Sequence, residues 1–172
     1  MRIFLVGFMG SGKTMLGEKI AAALKVPFID LDKKIEKQEK KTITEIFQSN
    51  GENFFRTVEA EVLRKTIRYA DAVIATGGGT PCFHDNMQWM NENGITIYLS
   101  AKPAELYHRL LTDRENRPLI TSLSDIVLME FVMGTLGKRE AFYSMAHIKL
   151  NAKTGTAKQV VEAIKKAMKK KK

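Results

Sequence analysis

The chain has 172 residues, 44% hydrophobic and 27% charged, the proportions of an ordinary globular domain rather than a disordered or fibrous chain. That length suits a single domain over residues 1–172. The net charge of +9 leans on Lys165, Lys166 and the lysines at 169–172, which read as a solvated helix end; without a basic patch interleaved with aromatics, no nucleic-acid partner is expected.

Cys82 is the only cysteine, so no intrachain disulfide is possible, and it reads as a small buried residue. Lys13, Glu18 and Lys19 interrupt any secretory apolar core, and no run approaches the length of a membrane span. A cytoplasmic protein without a membrane partner is the expectation. His84, His108 and His147 have no metal-ligand spacing.

Residues 2–6 form the first apolar, β-type run, ending at Gly7-Phe8-Met9-Gly10-Ser11-Gly12-Lys13-Thr14. This is G-x-x-x-x-G-K-[ST], a phosphate-binding loop. Its glycines let backbone N–H groups wrap an anion, and the N-terminus of the next helix adds partial positive charge. Leu16, Ile20 and Leu24 recur at helical spacing, so the required strand–loop–helix context is present. Lys13 can reach the β- and γ-phosphates of a nucleotide, and the Thr14 hydroxyl can ligate Mg²⁺. Gly10, Ser11, Gly12, Lys13, Thr14 and Met15 are the candidate nucleotide contacts.

A second strand at 27–29 leads into Asp30-Leu31-Asp32. Strand alternation places the two carboxylates on one side. One can hold Mg²⁺ and the other accept a hydroxyl proton; the alternative is an exit that caps the following helix. Thr42-Ile43-Thr44-Glu45 fits a capping box, and Gly51 is placed to end that short helix. Phe54, Phe55, Val58, Val62 and Leu63 mark the next helix, which also carries Arg56. That arginine can grip a carboxylate in a bidentate fork or pair with Glu52 or Glu59; the pattern alone favours the ion pair.

Residues 72–76 read as a buried strand ending in Gly77-Gly78-Gly79, either a plain turn or a place where a ligand approaches backbone donors. After a strand at 95–99, Pro103 opens a helix through Leu106 and Leu110. The charged stretch 113–120 contains Pro118 and reads as an exposed, closing segment, with Arg114 and Arg117 able to neutralise phosphate charge or to stand as solvated charge. A short helix is expected to start at Lys138-Arg139-Glu140. The last strand is predicted at 147–150, and Ala157, Val160, Val161, Ile164 and Ala167 mark one face of a final helix. Alternating strands and helices predict an α/β three-layer sandwich: a five-stranded parallel sheet flanked by helices, with ligands at the C-terminal edge of its strands.

Taken in order, the phosphate loop, D-L-D, I-x-E-I-F, G-E-x-x-F-R-x-x-E, T-G-G-G, R-P-L and R-x-x-x-Y resemble the shikimate kinase family over residues 3 to about 150. The resemblance implies a kinase fold of the phosphate-loop type with a mobile lid near 111–123 and a substrate region near 32–60. It implies Mg²⁺-dependent transfer of the ATP γ-phosphoryl group to the 3-hydroxyl of shikimate, on the route to chorismate and aromatic amino acids, by a monomer.

By position, Thr14 would bind Mg²⁺ with support from Asp30. Asp32 would hold the substrate hydroxyls and act as base. Arg56, oriented by Glu59, and Arg139 would clamp the carboxylate. Gly77, Gly78 and Gly79 would hold ring hydroxyls, and Phe47 and Phe55 would wall the pocket. Arg117 would be the lid arginine, catalytic with Lys13 and Asp32. An adenine-side loop is expected at Asn151-Ala152-Lys153-Thr154, with Lys153 as its candidate basic contact. Whether Arg109 or Arg114 meets the base stays open. A gluconate-type kinase would give no reason for two carboxylate-facing arginines beside a triple glycine, and the base reader of a guanine switch is missing.

Overall fold

The computed structural model describes residues 1–114 and 118–169. The five apolar runs become strands β1 (Arg2–Val6), β2 (Phe28–Asp30), β3 (Ala72–Ala75), β4 (Ile95–Ser100) and β5 (Ile148–Asn151), each within one residue of its predicted bounds. They form one parallel sheet in the order β2-β3-β1-β4-β5. A parallel sheet is covered on both faces, so its strands read as continuous apolar runs, which is why they stand out in the sequence.

Alternation within the strands separates two cores. Ile3, Leu5, Val73, Ile97 and Leu99 face α1 (Lys13–Leu24) and α8 (Ala157–Lys169), meeting Leu16, Ile20, Val160 and Ile164. Phe4, Val6, Ile29, Ile74 and Tyr98 point the other way. There they are covered by α3 (Ile43–Arg64), α4 (Asn86–Asn93), α5 (Pro103–Thr112), Ile120 of α6 (Pro118–Thr121), and α7 (Asp125–Tyr143). Each fully buried large apolar side chain contributes about 1.5–3 kcal/mol, so these two faces fix the register of every strand end. The expected three layers are present.

Three local expectations change. The helix expected to begin at Lys138 begins thirteen residues earlier, at Asp125, capped by the Ser124 hydroxyl accepting from Val127 N–H (3.4 Å). Its buried stripe is Leu128, Val132, Leu136 and Tyr143. Gly134 and Gly137 lower its intrinsic helix propensity and mask it in the sequence, but a Cβ at either would meet nothing, so core packing carries the helix. Gly51 does end the helix opened by the capping box of Thr42 and Glu45: its non-helical geometry (φ 82°, ψ 172°) kinks α3 (Ile43–Arg64) into two helices, as expected. Asp32 lies in the first turn of α2 (Leu31–Glu39), not on a strand, so helix geometry rather than alternation aims it. The tail lysines 170–172 lie outside the described residues, and Cys82 is half-buried rather than buried.

At the start of β4, Gly94 lies against β1. A Cβ there would stand 2.6 Å from the Arg2 carbonyl oxygen and 2.8 Å from the Phe4 ring. Gly94→Ala is expected to cost about 1–3 kcal/mol by pushing β4 from β1, measured as a lower urea midpoint with an unchanged slope. An unchanged midpoint would show that this contact relaxes freely.

Candidate active site

The phosphate loop closes the C-terminal end of β1. Gly12, with φ 93°, is the N-cap of α1, in a left-handed conformation that favours glycine. Arg109 on α5 donates to the carbonyls of Gly10 (3.2 Å) and Ser11 (3.3 Å), fixing the outer side of the loop. Lys13 Nζ donates to the carbonyls of Gly7 (2.8 Å) and Phe8 (2.9 Å), so its ammonium is held at the loop mouth. Gly10, Gly12, Lys13, Thr14 and Met15 line a cavity of about 350 Å³, with Asp30, Asp32 and Arg109 across from them. The Ser11 side chain is buried beneath the loop.

Asp30 caps α2 and also faces the phosphate loop. One oxygen accepts from Lys33 N–H (3.3 Å), capping α2, while the other accepts from the Thr14 hydroxyl (3.4 Å). Among the described residues no cluster of three His, Cys, Asp or Glu could hold a metal alone. Thr14 and Asp30 facing one open cavity nevertheless suit Mg²⁺, which keeps several waters and takes further oxygens from phosphates.

Asp32 stands where this cavity meets a second one of about 560 Å³; Met9, Gly77 and Gly78 are the other shared walls. Its carboxyl is pushed up to about 6, first by desolvation, then by the negative charges of Asp30 and Glu59, with Lys13 pulling the other way.

The second cavity is built around Arg56 and Arg139, with Phe47 and Phe55 in contact along one wall (4.6 Å between centroids). Glu59 is fully buried. It accepts from Arg56 Nη1 (2.9 Å) and from the Thr80 hydroxyl (2.6 Å). Glu52 accepts from Arg56 Nε (3.1 Å) and Nη2 (3.0 Å), and Arg56 lies over the Phe83 ring at 4.2 Å. Three of its five N–H donors are thus engaged, leaving one on each terminal nitrogen beside the cavity. Arg139, from α7, has no ion pair among the described residues and lies over Phe8 at 5.9 Å. The wall therefore offers planar donors and, at Arg139, a positive charge with no ion pair among the described residues, which suits a carboxylate.

The triple glycine is explained by space. A Cβ on Gly77 would lie 3.0 Å from oxygens of both Asp32 and Glu59, and one on Gly79 would lie 2.6 Å from Arg56 Nη2. Gly78 remains between the two cavities, where the buried Tyr143 hydroxyl donates to its carbonyl (2.6 Å). That anchor has only the R-x-x-x-Y spacing as its sequence signal.

Arg109, not Arg114, reaches the loop: Arg114 pairs with Asp125 (2.7 Å). Arg109 and Met15 also line a third cavity of about 430 Å³, whose far wall is Ala152, Gly155 and Thr156; Lys153 is exposed on the same turn. Arg117 and part of the expected lid lie outside the described residues.

Burial of Asp32 makes a test of stability. Its carboxyl stays neutral in the fold to about pH 6 against an ordinary 3.8, so ionising it opposes folding. Below about pH 4 it is protonated folded and unfolded, and Asp32→Asn should change little. Above about pH 6 the substitution should raise the melting temperature. A variant no more stable than the parent at about pH 8 would contradict this electrostatic environment.

The family model for shikimate kinase matches residues 9–169. The chain is similar to the shikimate kinase of Phocaeicola vulgatus, 46% identical over 145 residues that cover 84% of this chain and 83% of that one. With the shikimate kinase of Parabacteroides distasonis it shares 40% identity over 167 residues, 97% and 96% of the two chains. The solved shikimate kinase from Bacteroides thetaiotaomicron superposes with a TM-score of 0.90 at 40% identity, covering 98% of each chain. Shikimate kinase from Acinetobacter baumannii, solved in complex with shikimate, gives 0.85 at 32% identity over 99% of this chain and 94% of that one. With its phosphate loop, its parallel sheet and this similarity along nearly its whole length, the chain belongs to the shikimate kinase family.

Proposed function

We propose that the chain transfers the γ-phosphoryl group of ATP to the 3-hydroxyl of shikimate, giving shikimate 3-phosphate and ADP. The observation that carries this reading is the junction at Asp32, Gly77 and Gly78, where a phosphate-loop cavity opens into one with two arginines. A phosphoryl donor and a carboxylate-bearing alcohol bound there would meet at Asp32.

The residues divide the work. Loop N–H groups and Lys13 bind and neutralise phosphate, which matters more to phosphoryl transfer than covalent help. Arg139 and the free edge of Arg56 hold the shikimate carboxylate; Glu59 positions Arg56 through Nη1, and Phe47 and Phe55 cover the ring. Gly77, Gly78 and Gly79 border the ring hydroxyls. Asp32, ionised at neutral pH, accepts the proton of the attacking hydroxyl. Thr14 and Asp30 would hold Mg²⁺, which supplies charge neutralisation between phosphates when bound.

Gly10, Ser11, Gly12 and Met15 complete the nucleotide contacts. Arg109 and the third cavity offer the place for the base, with Lys153 at its rim. Arg117 keeps its proposed role as lid arginine. All these groups come from one chain and act on small soluble metabolites, which suits a monomeric enzyme of the cytoplasm with no nucleic-acid or membrane partner. Among the described residues no helix is long and apolar enough to cross a membrane.

The test is ADP release from Mg-ATP with shikimate, gluconate, nucleoside monophosphates or no acceptor. Release with shikimate alone is expected. Arg139→Ala should raise the shikimate KM about 30-fold, the loss of ~2 kcal/mol for a charged hydrogen-bonded contact, with little change in the KM for ATP. Acceptor-independent release would mean a nucleotidase, and an unchanged shikimate KM would remove Arg139 from the site.

A further inference from the structure

A separate cavity of about 470 Å³ lies behind α2, away from the transfer site. Lys34, Lys37, Lys65 and Arg68 line it, its inner wall includes Ile29, Val62 and Tyr69, and no carboxylate contributes. α2 thus divides its side chains. Asp32 and Glu36 face the acceptor cavity, while Lys34 and Lys37 face this one.

Lysines on a convex surface can spread into solvent. These four cations line one cavity, Lys34 half-buried and Lys37, Lys65 and Arg68 exposed at its mouth, so their fields add over it. None has an ion pair among the described residues. Glu36 accepts from Ile43 N–H (3.0 Å), Glu39 from the Gln38 amide (3.0 Å) and Asp71 from the N-terminal ammonium, and none of the three forms an ion pair with these cations among the described residues. Lys65 is steered by Gln38 Oε1 (2.8 Å), and Arg68 donates to the Tyr69 hydroxyl (3.1 Å). The Tyr69 phenol is held below its ordinary value, first by that hydrogen bond and also by the charges of Lys34 and Arg68. A polar mouth of one sign over apolar and aromatic walls is the build of a site for an organic anion, and the volume suits a small metabolite.

We propose that this cavity binds a small phosphate monoester, with Lys34, Lys65 and Arg68 taking the phosphoryl oxygens and Ile29, Val62 and Tyr69 taking the organic part. Such a ligand would bridge α2 to the residues that follow α3, the two helices that carry Asp32 and Arg56. It is a binding site distinct from the phosphate loop.

The probe is phenyl phosphate, titrated by calorimetry into full-length protein saturated with Mg-ADP and shikimate. Saturable one-to-one binding is expected, weaker by about tenfold or more in Lys65→Ala/Arg68→Ala through loss of charge-assisted contacts. The Lys158→Ala control, on α8, should bind as the parent does. Both variants should keep basal turnover. The substitutions locate the site whether or not the transfer reading holds. No saturable binding, or equal weakening by Lys158→Ala, would overturn the proposal. Inorganic phosphate binding as tightly as phenyl phosphate would overturn the monoester assignment.

Discussion

Glu59 commits both carboxylate oxygens inside the protein, one to Arg56 and one to Thr80. Through them α3 is tied to the loop after β3, so the acceptor-side arginine and the glycine loop are held in fixed relation. Removing one partner of such a buried pair strands a charge, at a cost of about 3–5 kcal/mol. The arrangement explains the glycines around it. Gly77 leaves room for Glu59 and Asp32, and Gly79 leaves room for the Arg56 guanidinium. A methyl group at either position would push into the groups that shape the pocket.

Charge balance then separates the two arginines. Arg56 is compensated by Glu52 and Glu59 and stacked on Phe83, so it contributes fixed geometry more than net charge. Arg139 contributes the charge. At the other end Lys13 faces Asp30 and Asp32 across the loop cavity. Asp32 sits between these poles, where burial and neighbouring acids make it a better proton acceptor than an exposed aspartate without keeping it neutral at pH 7. The fold supplies the spacing: β1, β2 and β3 end side by side, so the loop, Asp32 and the glycines fall on one edge.

Much of this was legible because it is local. The phosphate loop is a contiguous motif, and the doubly covered strands are apolar runs. Other features depend on residues far apart in sequence. Arg56 illustrates the limit: spacing on α3 suggested the ion pairs with Glu52 and Glu59, and a substrate role was the alternative, yet the structure permits both because the guanidinium keeps donors on its free edge. Strand alternation was the wrong reason for placing Asp32, since α2 starts at Leu31. α7 was foreshortened because interior glycines obscure a helix that packing maintains. The hold of Arg109 on the loop spans 99 residues and that of Tyr143 on Gly78 spans 65, separations at which no local pattern exists.

The central claim is that the second cavity recognises a carboxylate. Its most direct measurement is a calorimetric titration comparing shikimate with its neutral carboxamide, which keeps ring and hydroxyls. The account predicts that the carboxamide binds weaker by about 30-fold or more, the value of a charge-assisted contact to Arg139 and Arg56. Equal affinity for the two would contradict it, because the arginines would then not be reading the carboxylate.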